Sequence, residues 1–129
     1  MKRVVRVVLI GVLLCVNGVA WAHEEHEHES TSSNVQMLKG EVVDVFCYLS
    51  HGKEGLGKDH AGCAKHCIKS GLPVAIKVGD TLYLASMADH TAANEKLADL
   101  AGQQVEVHGT LLEADGQHLI AITEVEKAE

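Results

Sequence analysis

Residues 104–125, QVEVHGTLLEADGQHLIAITEV, decide the fold. Two runs rich in β-branched residues, Gln104–Leu112 and Gln117–Val125, flank a short polar turn at Ala114–Gly116, and this pattern predicts a β-hairpin. Upstream of it, Thr91 is placed to cap a helix in which Ala93, Leu97, Leu100 and Ala101 follow helical spacing, with Gly102 as its stop. VAIKVGDTLYLASM, residues 74–87, divides into two short strands, Val74–Val78 and Thr81–Ser86, around Gly79-Asp80. MLKGEVVDVFCYL, residues 37–49, predicts a first strand over about Leu38–Tyr48, with Val43, Val45 and Cys47 alternating onto its inner face and Asp44 on the opposite face, near Lys39 and water. Ser50–Asp59 carries three glycines and reads as a loop, and His60–Lys69 as a short helix stopped by Gly71 and Pro73.

The expected fold class is therefore mainly β with two short helices, one of them bearing cysteines after the first strand. Five strands with a helix between the third and fourth resemble the OB-fold, a Greek-key barrel, over Met37–Val125, and the closing hairpin resembles that of many small OB domains. The resemblance implies a five-stranded OB-like barrel and leaves function open, because that fold hosts many activities.

The chain has 129 residues. Its first 22 read as an export signal: Lys2, Arg3 and Arg6 form a basic start, Val7–Val16 is too short an apolar run to span a bilayer, and Ala20-Trp21-Ala22 offers a cleavage pattern before His23. The expectation is a bacterial periplasmic or secreted protein, with no membrane partner once residues 1–22 are removed. Residues 23–36 begin HEEHEHESTSS, a polar tail that is expected to be disordered and whose His23, His26 and His28 are candidate weak metal ligands. Residues 37–126 would then form one small domain.

After signal removal, eight basic residues face 18 acidic ones, a formal charge of −10. Such a charge repels phosphate backbones and attracts cations. Phe46, Tyr48 and Tyr83 are the only aromatic residues left, too few for a base-stacking platform, so nucleic acid is not an expected partner.

Cys47, His60, Cys63 and Cys67 carry the chemical signal. At about 100° per residue, positions 60, 63 and 67 fall within roughly a 60° arc of a helix. One imidazole and two thiols then point the same way, and a cation at about 2.0–2.3 Å from each donor can bridge them where a Cys63–Cys67 disulfide would strain the helix. Three cysteines outside the signal are an odd number for an oxidising compartment. Three states are open: a Cys47/His60/Cys63/Cys67 metal site, for zinc or copper; a disulfide from Cys47 to Cys63 or Cys67 that staples the helix to the barrel; and a thiol redox pair. His66, beside Cys67, and His51, in the glycine loop, are auxiliary candidates, and Met87 could offer copper a thioether. Some periplasmic copper-efflux proteins are similar barrels, but their sites include a Trp, which this chain lacks after Trp21 is removed.

Gly52–Lys58 has the spacing of a phosphate-binding loop, but Asp59 stands where that motif needs a hydroxyl. No nucleophile elbow, zinc-protease helix or haem-attachment motif occurs, so no catalytic residue is assigned and the expected role is non-enzymatic metal storage, delivery or tolerance. The alternative from another class is a metal-free, disulfide-stapled module that binds a protein partner.

Overall fold

A computed structural model of the chain describes residues 35–129. The expected signal segment, and His23, His26 and His28 of the tail, lie outside the described residues.

Five strands form a closed barrel: β1 (Val35–Asp44), β2 (Val74–Val78), β3 (Thr81–Met87), β4 (Gln104–Ala114) and β5 (Gln117–Lys127). Around the barrel the order is β1-β2-β3-β5-β4, with β4 returning to β1. Every pairing is antiparallel except β3 with β5. Val42, Ile76, Val105, Val107, Ile120 and Ile122 project inward from four of the strands and are buried. Burial of a side chain of this size contributes about 1.5–3 kcal/mol, so this interior holds the closed barrel together.

The closing hairpin follows the sequence reading and extends it by two residues on each strand. Its two-residue turn takes positive φ at both positions, Asp115 at 51° and Gly116 at 76°, which matches the right-handed twist of the flanking strands. Strand β2 forms as read and β3 runs one residue further, to Met87, the two joined around Gly79.

Among the described residues there are three helices rather than two: α1 (Val45–His51), α2 (Gly57–Lys69) and α3 (Asn94–Leu97). The first corrects the expected strand. Strand β1 stops at Asp44, and Cys47 lies in the first turn of α1 rather than on an inward strand face. Two local causes end the strand. Its partner β2 begins at Val74, after Pro73, which has no N–H to extend the ladder; Val45 donates its N–H to the Pro73 carbonyl and the chain turns there. Asp44 then supplies a helix cap, its Oδ1 accepting from the Cys47 amide at 2.7 Å. Asp44 is thus fully buried rather than facing water, and Lys39 pairs instead with Glu106.

Much of the expected 50–59 loop is also ordered as helix: α1 runs to His51, a 3-10 turn covers Gly52–Gly55, and α2 begins at Gly57. Helix α2 is fixed at both ends. The Glu41 carboxylate accepts from the Gly57 amide at 2.6 Å, and the Asn94 side chain donates to the carbonyls of Ile68 and Leu72 at 2.8 and 2.7 Å. Ala64 and Ile68 bury the inner face of α2 in the core, which leaves positions 60, 63 and 67 turned towards α1.

The segment after β3 is less helical than its spacing suggested. Thr91 does not cap it: its amide and hydroxyl both donate to Asp89 Oδ1. A single α-turn passes into a 3-10 turn over Ala98–Leu100, because isolated bridges at Ala92 and Ala101 tie both flanks to Ser86 and Val42. Of the expected apolar face, Ala93, Leu97 and Ala101 are nonetheless buried and Leu100 packs half-buried against the core, while Ala98, outside that face, is buried as well. Gly102, at φ 71°, lies so close to α2 that a Cβ there would sit 2.6 Å from the Gly57 carbonyl oxygen.

Candidate metal centre

Helices α1 and α2 leave and re-enter the barrel between β1 and β2, and their facing sides carry the cysteines. Cys47 comes from the first turn of α1, held by the Asp44 cap. His60, Cys63 and Cys67 come from successive turns of α2, as their spacing predicted. Among the described residues, the thiols of Cys47, Cys63 and Cys67 are free.

The donor atoms gather into two overlapping triads. One donor atom each from Cys47, His60 and Cys63 lie within 4.8 Å of one another, and so do those of Asp44, Cys47 and Cys67. Cys47 belongs to both. Its Sγ stands 3.9 Å from Cys67 Sγ. Two thiolates on one tetrahedral ion, each at about 2.3 Å from it, would stand about 3.8 Å apart. A disulfide needs about 2.05 Å. The thiol pair is therefore spaced as metal ligands are, although a short approach would join it covalently.

Two buried polar atoms at the cluster have no hydrogen-bond partner among the described residues: His60 Nε2 and Asp44 Oδ2. An unpaired buried polar group costs about 1–3 kcal/mol, and one atom of this kind lies on a member of each triad.

Asp44 and burial favour the protonated form of Cys47, and burial that of Cys67, in the metal-free protein. Cys47 is raised far above its ordinary value, first by its interaction with the Asp44 side chain and then by burial and by Cys67. Burial likewise raises Cys67, against a smaller opposing effect of Cys47. Cys47 and Cys67 are therefore poor nucleophiles at neutral pH. A cation reverses the preference by stabilising the thiolates directly.

The remaining candidates separate clearly. The His51 ring lies 6.2 Å from that of His60, near the first triad but outside it. His66 is exposed and joins neither triad. Met87 packs against the barrel core. His118 pairs with Glu113 at 2.9 Å, its ring tilted 59° from that of Tyr83 with centroids 5.6 Å apart, and His90 occupies a left-handed turn at φ 66°. At the phosphate-loop look-alike, the Gly57 amide is already engaged by Glu41, so an acid occupies the position a phosphate would need.

Sequence reasoning missed Asp44. The signal was available: an acid three residues before Cys47 is a helix-capping pattern, but the run of valines around it read as strand. Compared with known proteins, the chain matches no family model and no curated protein.

Proposed function

We propose that this protein is an exported, non-enzymatic carrier of a soft or borderline transition metal, zinc or copper, serving storage, delivery or tolerance. The observation that carries the reading is His60 Nε2: it is buried, without a partner, on a residue whose ligating nitrogen lies within 4.8 Å of the Cys47 and Cys63 sulfurs. Imidazole and thiolate together suit a borderline ion. Cys67, 3.9 Å from Cys47, extends the donor set. The His23, His26 and His28 tail would raise the local concentration of ions, and the acidic surface would attract them.

The strand order supports reading the barrel as OB-like, a scaffold whose rigid end carries α1 and α2. Rigidity matters here because metal affinity depends on holding donors at fixed separations.

Co2+ substitution tests the reading. Loading the reduced protein with Co2+ should produce near-ultraviolet thiolate charge-transfer absorption that disappears when Cys47, Cys63 and Cys67 are all replaced by Ser and weakens in Cys63→Ser and in His60→Ala. Imidazoles of the tail give no such band. An absorption spectrum without thiolate character would refute the core site.

A second reading, a protein-interaction module without metal, draws on the exposure of Phe46 (61%) and Leu49 (70%) on α1. It requires a disulfide between Cys47 and a cysteine of α2, and thiol counting in the native protein separates it from the first.

A further inference from the structure

We propose that the cluster is a two-ion centre, in which the Cys47 thiolate bridges one ion held with His60 and Cys63 to a second held with Asp44 and Cys67. The inference rests on the metal-binding reading above and deepens it, by assigning Asp44 as a ligand and fixing the number of ions.

Donor inventory points first in this direction. Asp44, Cys47, His60, Cys63 and Cys67 offer five donors, one more than a tetrahedral ion takes. They do not form one group; they sort into two triads with a single common member, Cys47. A thiolate sulfur has lone pairs enough to bind two ions, so the shared residue is the natural bridge.

Polar satisfaction points the same way. His60 Nε2 and Asp44 Oδ2 are both buried and unpartnered, one in each triad. An ion among Cys47, His60 and Cys63 answers the first and leaves the second orphaned. Asp44 is fully buried, and its other oxygen is committed to the Cys47 amide, so Oδ2 remains for a ligand on the Cys67 side. A buried carboxylate oxygen left unpaired is expensive, and a cation is the partner that the neighbouring sulfurs would share with it.

Charge supplies the third argument. Three thiolates and one carboxylate carry four negative charges. One divalent ion held by Cys47, His60 and Cys63 would leave Cys67 a protonated thiol and the Asp44 charge uncompensated beside the barrel core, whereas two divalent ions neutralise all four groups. Loading releases the three thiol protons to solvent. The carboxylate oxygen and the imidazole nitrogen favour a borderline divalent ion of the zinc class over copper(I), whose preference is for sulfur alone. With three protein donors each, both ions keep a fourth position open to water or an incoming ligand, as a site that exchanges its cargo requires.

The test counts ions on the full chain, with His23, His26 and His28 replaced by Ala so that the tail contributes none. The protein is reduced with a phosphine, exposed to Zn2+ alone, desalted and weighed by native mass spectrometry. Two zinc ions per chain are expected, falling to one in Asp44→Asn, which keeps an oxygen to accept from the Cys47 amide. One ion in both proteins, or two in both, overturns the two-ion centre while leaving metal binding intact; no ion in either overturns both readings. A measurement without that substitution guards against misfolding. In the same background with Asp44 retained, and fully loaded with Co2+, a thiolate bridge should couple the two spins and give less paramagnetic resonance signal than two isolated ions, and an additive signal would overturn the bridge.

Discussion

Cys47 Sγ and Cys67 Sγ stand 3.9 Å apart, although one belongs to α1 and the other to α2. Their separation is therefore set by how two helices dock on one end of the barrel, not by local spacing. This contact is also where metal and disulfide compete. In the metal-free protein, mild oxidation should join Cys47 to Cys67 and leave Cys63 open to alkylation, whereas zinc loaded beforehand should protect the pair. Peptide mapping after alkylation checks this, and a Cys63-containing bridge would contradict the arrangement.

Asp44 has a structural role separable from its proposed ligand role. Asp44→Ala removes the cap of α1 and should destabilise the metal-free protein by about 1–2 kcal/mol. Asp44→Asn keeps the cap and should melt within a few degrees of the unaltered protein. Thermal unfolding of both variants without metal gives the comparison.

The Cys47 thiol makes a pH prediction with a definite sign. Its folded value lies above the ordinary 9.0, so above that pH the unfolded chain has given up a proton that the folded chain still holds. Stability of the metal-free protein should therefore be fully present below about pH 9 and fall as pH rises beyond it. Cys47→Ser should flatten the fall. Urea unfolding at pH 7.5 and pH 10 measures the difference.

Asn94 ties α3 to the last turn of α2 through the carbonyls of Ile68 and Leu72. Asn94→Ala should cost about 1–3 kcal/mol by leaving the Leu72 carbonyl without the amide, while the Ile68 carbonyl keeps the Gly71 N–H. Because the same turn carries Cys67, metal affinity should fall as well, although Asn94 is in neither triad. Denaturant unfolding and zinc competition on the same variant check both effects.

The parts of the fold that were legible in the sequence were those that local chemistry determines. The Asp115-Gly116 turn and the runs beside it specify the closing hairpin, because only residues tolerant of positive φ suit that turn. The helical spacing of His60, Cys63 and Cys67 holds for the same reason: periodicity is a property of one element. What could not be read was the end of β1. Val42, Val43 and Val45 favour a strand by pattern, and only the distant Pro73, which closes the ladder on the neighbouring strand, shows why the chain turns at Asp44. Asp44 was consequently placed on the wet face, and the second triad went unseen. The brevity of α3 has a similar origin, since its limits are set by bridges to β1 and β3 rather than by its own residues.

Zinc affinity of the reduced protein, measured by competition with a chromophoric chelator in the background lacking His23, His26 and His28, tests the central claim most directly. The account predicts tight binding that weakens at least about tenfold, or about 1.4 kcal/mol, in both His60→Ala and Cys63→Ser. Affinity equal to that of the unaltered cluster in both variants would contradict it, and would leave His60 and Cys63 outside the zinc site.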